Sequence, residues 1–327
     1  MREHSNPDTG WWIMVSLSGT MHLITGLFCM ILLCTGIASS VDQPGTITIE
    51  QSSAGDTGMN SKETIIPEFD AYAEETFNRS GVPGMAVALV NHDKVVYMRC
   101  FGITNITTRQ PVTPDTRFQL ASISKSFASS VIASMVGDGE FTWDDRVSSI
   151  YPGIRLSDPW ITEHLTFRDL LSHRTGLPEY AGDELWDLHV SRSDIISRLW
   201  QIPISGDFRS SYAYANTDIT MAAETAAWKA GTSWDDLIRE KIFVPAGMMN
   251  TSSRFTDYMT AEDHADTYFM DDETRLTNTV VDTDPNSPAG GVSSTINDMV
   301  RYARLQMNEG TIDGKQIIAA DSLRETH

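Results

Sequence analysis

The sequence predicts an α/β fold of the α+β type, in which an antiparallel sheet flanked by helices joins a mainly helical region of roughly residues 120–285. Two observations carry that expectation. Residues 85–90 and 94–101 are rich in Val and other β-forming side chains and are separated by Asn91-His92-Asp93, the pattern of an antiparallel hairpin. From Ser122 to Gly137 the chain turns to small and apolar residues without proline. Phe127, Val131, Ile132, Met135 and Val136 fall there on one helical face, which predicts a helix buried in the interior.

The remaining elements follow in chain order. Arg2 precedes an apolar run over residues 23–34, and the small residues Gly36-Ile37-Ala38-Ser39-Ser40 come after it. That order predicts an export signal over residues 1–40, either cleaved near Ala38 to Ser40 or retained as a signal anchor. Residues 41–63, rich in Ser, Thr, Gly and Asp, read as a flexible spacer, which leaves 64–327 as the folded domain. Phe69, Tyr72, Ala73, Thr76 and Phe77 recur at helical spacing and predict a first helix over 67–78. Thr166 is placed to cap a helix over 167–173. Further helices are expected over 217–230 and 233–243, and from a cap at Ser294 or Thr295 to Met307. His92, at the hairpin turn, reads as a solvated loop residue, and Cys100 as a small apolar residue of the second strand. Cys29 and Cys34 fall in the export segment, so Cys100 is left without a partner for an intramolecular disulfide.

Charge bounds the partners. The 327 residues carry 44 Asp and Glu against 24 Lys and Arg, a net charge of −20. A polyanion is held by basic footprints that displace its counterions, so nucleic acid is not an expected partner. Acid density peaks between Asp257 and Asp284, where nine carboxylates face a single basic side chain, Arg275. A solvated loop surface accounts for this run most simply, and calcium or a mineral surface is the partner the run 257–284 would otherwise attract. Asn78, Asn105 and Asn250 each begin an Asn-x-Ser/Thr sequon, which agrees with N-glycosylation of a secreted, extracellular protein. The eight His and three Cys show no HExxH or CxxC spacing, so neither a metal nor another cofactor is expected.

Ser122-Ile123-Ser124-Lys125 sets a hydroxyl and an ammonium at i and i+3, on one face of a helix. A serine hydroxyl is a weak nucleophile until its proton is removed, and a lysine whose charge is disfavoured by burial can remove it. The N-terminus of the following helix would favour the oxyanion that forms when serine attacks an acyl carbon. In isolation a Ser-x-x-Lys is frequent in a chain of this length, and the surrounding residues give it its meaning.

Residues 118–127, Phe-Gln-Leu-Ala-Ser-Ile-Ser-Lys-Ser-Phe, resemble the nucleophile segment of the serine β-lactamase and penicillin-binding-protein family, which includes class C β-lactamases, D-alanyl-D-alanine carboxypeptidases and related esterases. Further stretches agree in order: 139–147, 165–178 with Leu170-Leu171-Ser172-His173, Tyr212-Ala213-Tyr214-Ala215-Asn216, Pro245-Ala246-Gly247-Met248, and 289–294. The resemblance implies a β-lactamase/transpeptidase-like fold and a cleft in which Tyr214 and Asn216 join Ser122 and Lys125. In that cleft Tyr214, its proton displaced toward the nearby ammonium, would serve as general base in acylation and again in deacylation, while Asn216 would donate to a substrate amide carbonyl and steady Lys125. His173 suits a helix C-terminal cap better than a triad. The family's third active-site element, Lys or His followed by Ser or Thr and Gly, has no counterpart after Met307, and the remaining strands are expected beyond His327. The implied function is hydrolysis of an amide, ester or β-lactam through an acyl-serine, with a small-molecule or peptide substrate. The alternative is a non-catalytic extracellular-matrix or mineral-associated protein on the same fold, like secreted animal members of the family from shell matrix.

Overall fold

In chain order the sheet layer is β1 (Trp11–Ser18), the helix α1 (Ser61–Ser80), β2 (Gly84–Asn91) and β3 (Lys94–Gly102), with β2 in the centre of an antiparallel sheet of order β1-β2-β3. The structure is a computed structural model and describes residues 11–18, 61–271 and 275–327. Alternation along β2 divides its side chains between two cores. Ala86, Ala88 and Val90 pack with Ile296, Val300 and Ala303 of the helix Ile296–Met307, whereas Met85 and Val87 pack with Ala73 and Phe101, backed by Phe69 and Phe77 of α1. With an apolar layer on both faces, Gly84 to Val90 are all buried, and so this strand reads as an unbroken apolar run. Helices flank the sheet as the sequence predicts.

The hairpin closes through His92 and Asp93, with Asn91 opposite Lys94 and His92 at φ 53°. Arg304 grips Asp93 through Nε at 2.7 Å and Nη2 at 3.0 Å, which fastens the turn to the helix Ile296–Met307. Cys100 is half-buried against the Ala86 face, and burial pushes its thiol above the usual value. α1 starts earlier than the expected 67 and runs through Pro67, at the loss of one backbone donor. β1 lies inside the segment read as an export signal. The apolar run 23–34, the small-residue region and the spacer through residue 60 lie outside the described residues.

The helical region is built around α2 (Ser124–Gly137), against which the helices Asn216–Ala230, Trp234–Ile238 and Ala320–Arg324 pack. Phe127 stacks on Tyr302 at 3.9 Å between ring centres and meets Phe243 edge-on at 5.7 Å. Of the expected buried face, Val136 is only partly covered. The helix expected over 233–243 is Trp234–Ile238 followed by a π-helical turn, Arg239–Phe243. The helix expected over 167–173 stops at Leu171, and Thr166 caps it in a reciprocal box with Asp169. Thr295 rather than Ser294 caps the helix Ile296–Met307, by accepting from the Asp298 N–H.

Three carboxylates of the acidic run, Asp263, Asp266 and Asp284, are tied into the fold. Thr267–Asp271 pairs with Arg275–Thr279, Asp263 accepts from the hydroxyls of Thr113 and Thr116, Asp266 from Asn105 and Asn278, and Asp284 from the Phe255 N–H. These carboxylates fasten a long connection to the rest of the fold. Among the described residues no group of three or more His, Cys, Asp and Glu side chains is arranged to hold a metal ion, and no helix is long and apolar enough to cross a membrane.

Candidate active site

A short bridge aims the chain at the site. β4 (Phe118–Gln119) pairs with Ser293–Ser294, and the Leu120 N–H donates to the Val292 carbonyl at 2.8 Å. Ala121 then takes φ 47°, a left-handed conformation that costs a non-glycine residue energy and that folds tolerate where a side chain must be aimed. Ser122 follows in a 3₁₀ turn, Ala121–Ile123, before α2 begins at Ser124. The sequence reading placed Ser122 inside the α-helix; the tighter turn keeps the predicted reach, because positions i and i+3 eclipse in a 3₁₀ turn. The buried Ser124 locks the junction by accepting the Val292 N–H at 2.9 Å.

Three polar groups converge on one another. Lys125 Nζ stands 2.9 Å from Ser122 Oγ and donates to the Ala289 carbonyl at 2.9 Å, while Tyr214 Oη lies 2.7 Å from Ser122 Oγ. The ammonium also sits 4.8 Å from the centre of the Tyr214 ring. Burial lowers the Lys125 amine to about 7, against a smaller opposing pull from Asp183. Burial also raises the Tyr214 phenol above its ordinary value, and the hydrogen bond from Ser122 only partly offsets this. Near neutral pH the site therefore holds an amine poised between its charged and neutral forms beside a phenol that keeps its proton, so the role of base expected of Tyr214 falls to Lys125.

Asn216 opens the helix Asn216–Ala230 two residues after Tyr214. Its Nδ2 donates to Asp183 Oδ2 at 2.7 Å, and no hydrogen bond joins it to Lys125. Any steadying of Lys125 by Asn216 therefore runs through Asp183, whose charge acts on Lys125 and Tyr214 across space. Asp183 has no signal in the sequence apart from Gly182, whose φ of 84° starts the short helix Asp183–Asp187. Tyr180, from the same segment, donates its N–H to the Tyr214 carbonyl at 2.8 Å.

His173 caps a helix, as expected: it is the left-handed residue of a Schellman turn, its N–H donating to the Leu170 carbonyl at 3.1 Å and the Arg174 N–H to the Asp169 carbonyl at 3.0 Å. It follows the helix Phe167–Leu171 at φ 55° and lies buried under Tyr214, with Asp218 Oδ2 at 3.6 Å from Nδ1. Of the three sequons, Asn78 and Asn250 are exposed, whereas Asn105 is half-buried: its amide nitrogen donates to Asp266 and its oxygen accepts from the N–H groups of Thr107 and Thr108. A cavity of about 330 Å³, lined by Arg117, Thr251 and Arg254 among others, contains none of Ser122, Lys125, Tyr214 and Asn216.

Comparison with known proteins identifies the family. A family model described as Beta-lactamase matches residues 69–326. The chain is similar to a penicillin-binding protein of Bacillus subtilis, at 31% identity over 225 residues, which cover 64% of this chain and 49% of that protein. It is also similar to a D-aminopeptidase of Brucella anthropi, at 30% identity over 194 residues, covering 55% of this chain and 36% of that one. The chain thus spans about half or less of the length of these curated relatives. The fold matches that of an octameric penicillin-binding protein homologue from Pyrococcus abyssi with a TM-score of 0.66 at 22% identity, over 79% of this chain and 59% of that chain.

Proposed function

Because the chain belongs to the β-lactamase family, we propose that it is a serine hydrolase acting on an amide, ester or β-lactam through an acyl intermediate on Ser122. The observation that carries the reading is the buried Lys125 amine, lowered to about 7 and 2.9 Å from Ser122 Oγ. In its neutral form Lys125 takes the Ser122 proton as Oγ attacks the acyl carbon. The charge that develops on the acyl oxygen is met by the Ser122 N–H as one donor. Tyr214, protonated and 2.7 Å from Oγ, gives its proton to the departing nitrogen or oxygen and recovers one from the Lys125 ammonium. Water then enters along the leaving-group path, and the same groups return the acid and Ser122. Asp183 accepts one N–H of the Asn216 amide, and the second N–H is the donor for a substrate carbonyl.

A fluorophosphonate probe applied to the full-length protein should label Ser122, and Ser122→Ala should abolish labelling. Labelling at another serine, or unchanged labelling in the variant, would exclude the assignment. Turnover of esters, D-amino-acid peptides and amides, and a chromogenic β-lactam by the same preparation identifies the substrate class; the penicillin-binding-protein and D-aminopeptidase relatives make D-configured substrates the first to try. A scaffold that only binds matrix or mineral has no need of a depressed lysine, a serine and a tyrosine in one cleft, which favours the catalytic reading.

Export is part of the proposal and is supported by the order of residues 2–40 and by the two exposed sequons. Glycosidase treatment of secreted protein should release glycans from Asn78 and Asn250. The amide of Asn105, which is committed to Asp266, should carry none.

A further inference from the structure

We propose that His173 is a positioning residue for the acyl-transfer step, holding the backbone on both sides of Tyr214 so that the phenol meets Ser122. The inference rests on the acyl-serine reading and concerns a residue that the Ser-x-x-Lys chemistry does not require. Three contacts converge on Tyr214. The His173 carbonyl accepts the Ala213 N–H at 3.0 Å, its ring nitrogen Nδ1 accepts the Ala215 N–H at 3.3 Å, and its ring packs on the phenol ring at 5.0 Å between centres. The residues just before and just after Tyr214 are therefore both tied to one side chain and its own carbonyl. The backbone that carries Tyr214 is thereby held on both sides, and its ring is supported on one face.

The geometry also dictates the state of the ring. An N–H can only donate, so the nitrogen facing Ala215 must carry a lone pair, and the imidazole proton belongs on Nε2. The φ of 55° at His173 lets one residue offer its carbonyl to Ala213 and its ring to Ala215; His and Asn are among the few side chains that enter this region readily. The titratable groups around the imidazole are Tyr212, edge-on at 5.7 Å, Tyr214, and Asp218 behind it. Asp218 is fully buried on the first turn of the helix Asn216–Ala230, and Thr175 Oγ1 donates to its oxygens at 3.1 and 3.2 Å. Its 3.6 Å separation from Nδ1 is too long for a hydrogen bond, which leaves that nitrogen to Ala215.

Two measurements on the full-length protein test this. His173→Asn keeps the backbone conformation and removes the ring, and His173→Phe keeps a ring and removes the acceptor. Single-turnover acylation by a fluorophosphonate or an activated ester should slow by about tenfold or more in both. KM for a turned-over ester should change less than about threefold, since a misplaced phenol affects proton transfer more than binding. Folded variants that acylate within twofold of the wild type overturn the proposal. Should either variant fail to fold, nitrogen NMR of the wild-type imidazole decides the question. A neutral ring protonated on Nε2, beside an Ala215 amide protected from hydrogen exchange, supports the clamp; a proton on Nδ1 overturns it. If the wild type is not acylated at all, the acyl-serine reading fails while the NMR result still stands or falls by itself.

Discussion

Two ionisable side chains drawn out of water, Asp169 and Lys125, have surroundings that could hardly differ more. The Asp169 side chain is 3% exposed and fully served: Arg209 donates from Nε and Nη2, each at 2.9 Å, and Thr166 donates from its hydroxyl at 2.7 Å and its N–H at 3.1 Å. Lys125 is partly buried, and its hydrogen-bond partners are only a hydroxyl and a backbone carbonyl. A carboxylate in a complete hydrogen-bond shell is a fastener. An amine buried without a carboxylate contact has a proton it holds loosely, and that is what a general base requires. The same physical operation, removing a charge from water, builds structure in one place and reactivity in the other, according to whether an opposite charge goes with it.

The largest expected effect removes the reactive partner. Lys125→Met should reduce the acylation rate of Ser122 by about 10³-fold, in line with the loss of a positioned base. In the wild type the rate should climb with pH through about 7, the value to which burial lowers the amine, because only the neutral form accepts a proton. A pH–rate profile flat from 5 to 9 would break the comparison, since it would mean that the Lys125 proton plays no part.

On the structural side the effect should fall on stability alone. Arg209→Gln strips Asp169 of its guanidinium and leaves a buried carboxylate with Thr166 only; because Arg209 is about half exposed, the loss is about 2 kcal/mol rather than the full cost of an orphaned charge. Denaturant unfolding measures this, and acylation per folded molecule should remain at the wild-type rate. A variant equally stable but slower would place Arg209 among the residues that shape the cleft.

The two constellations also differ in how legible they are. Thr166 and Asp169 sit three residues apart before an apolar run, so local capping chemistry announces them. Ser122 and Lys125 are equally local, and Phe127 to Met135 mark their helix as buried. Tyr214 and Asn216 carry no such mark and are legible only through resemblance, because a separation of 92 positions from Ser122 to Tyr214 leaves no period in the sequence. Asp183 and Asp218 were missed for the same reason. The cap at His173 is legible in the same local way as the hydroxyl and lysine, but the second contact of its ring, to Ala215 42 residues on, is not. The 3₁₀ turn at Ser122 was invisible because it depends on the strained Ala121, a residue whose type favours ordinary helix. Hairpin and helices were legible for the opposite reason, since period and turn chemistry are written in neighbouring residues.

The smallest effect expected is the one that most sharpens the contrast. If Lys125 is held in the fold without an opposite charge, then the fold is less stable for holding it, and Lys125→Met should stabilise the protein while disabling it. The sign follows from the two protonation states. An unfolded lysine titrates near 10.5 and the folded one near 7, so between those values the unfolded chain binds more protons. Wild-type stability must therefore rise with pH across that window. The penalty is complete at pH 7 and below and vanishes toward pH 10. Met fills nearly the same volume without a charge, so the variant should gain on the order of 1 kcal/mol at pH 6 and progressively less as the pH approaches 10. Paired urea titrations at pH 6 and pH 9 read the difference directly. A Lys125→Met protein less stable than wild type at pH 6 would show that the amine is held by more than Ser122 and Ala289, and the division between fastener and reactant drawn above would have to be redrawn around whatever group supplies the missing charge.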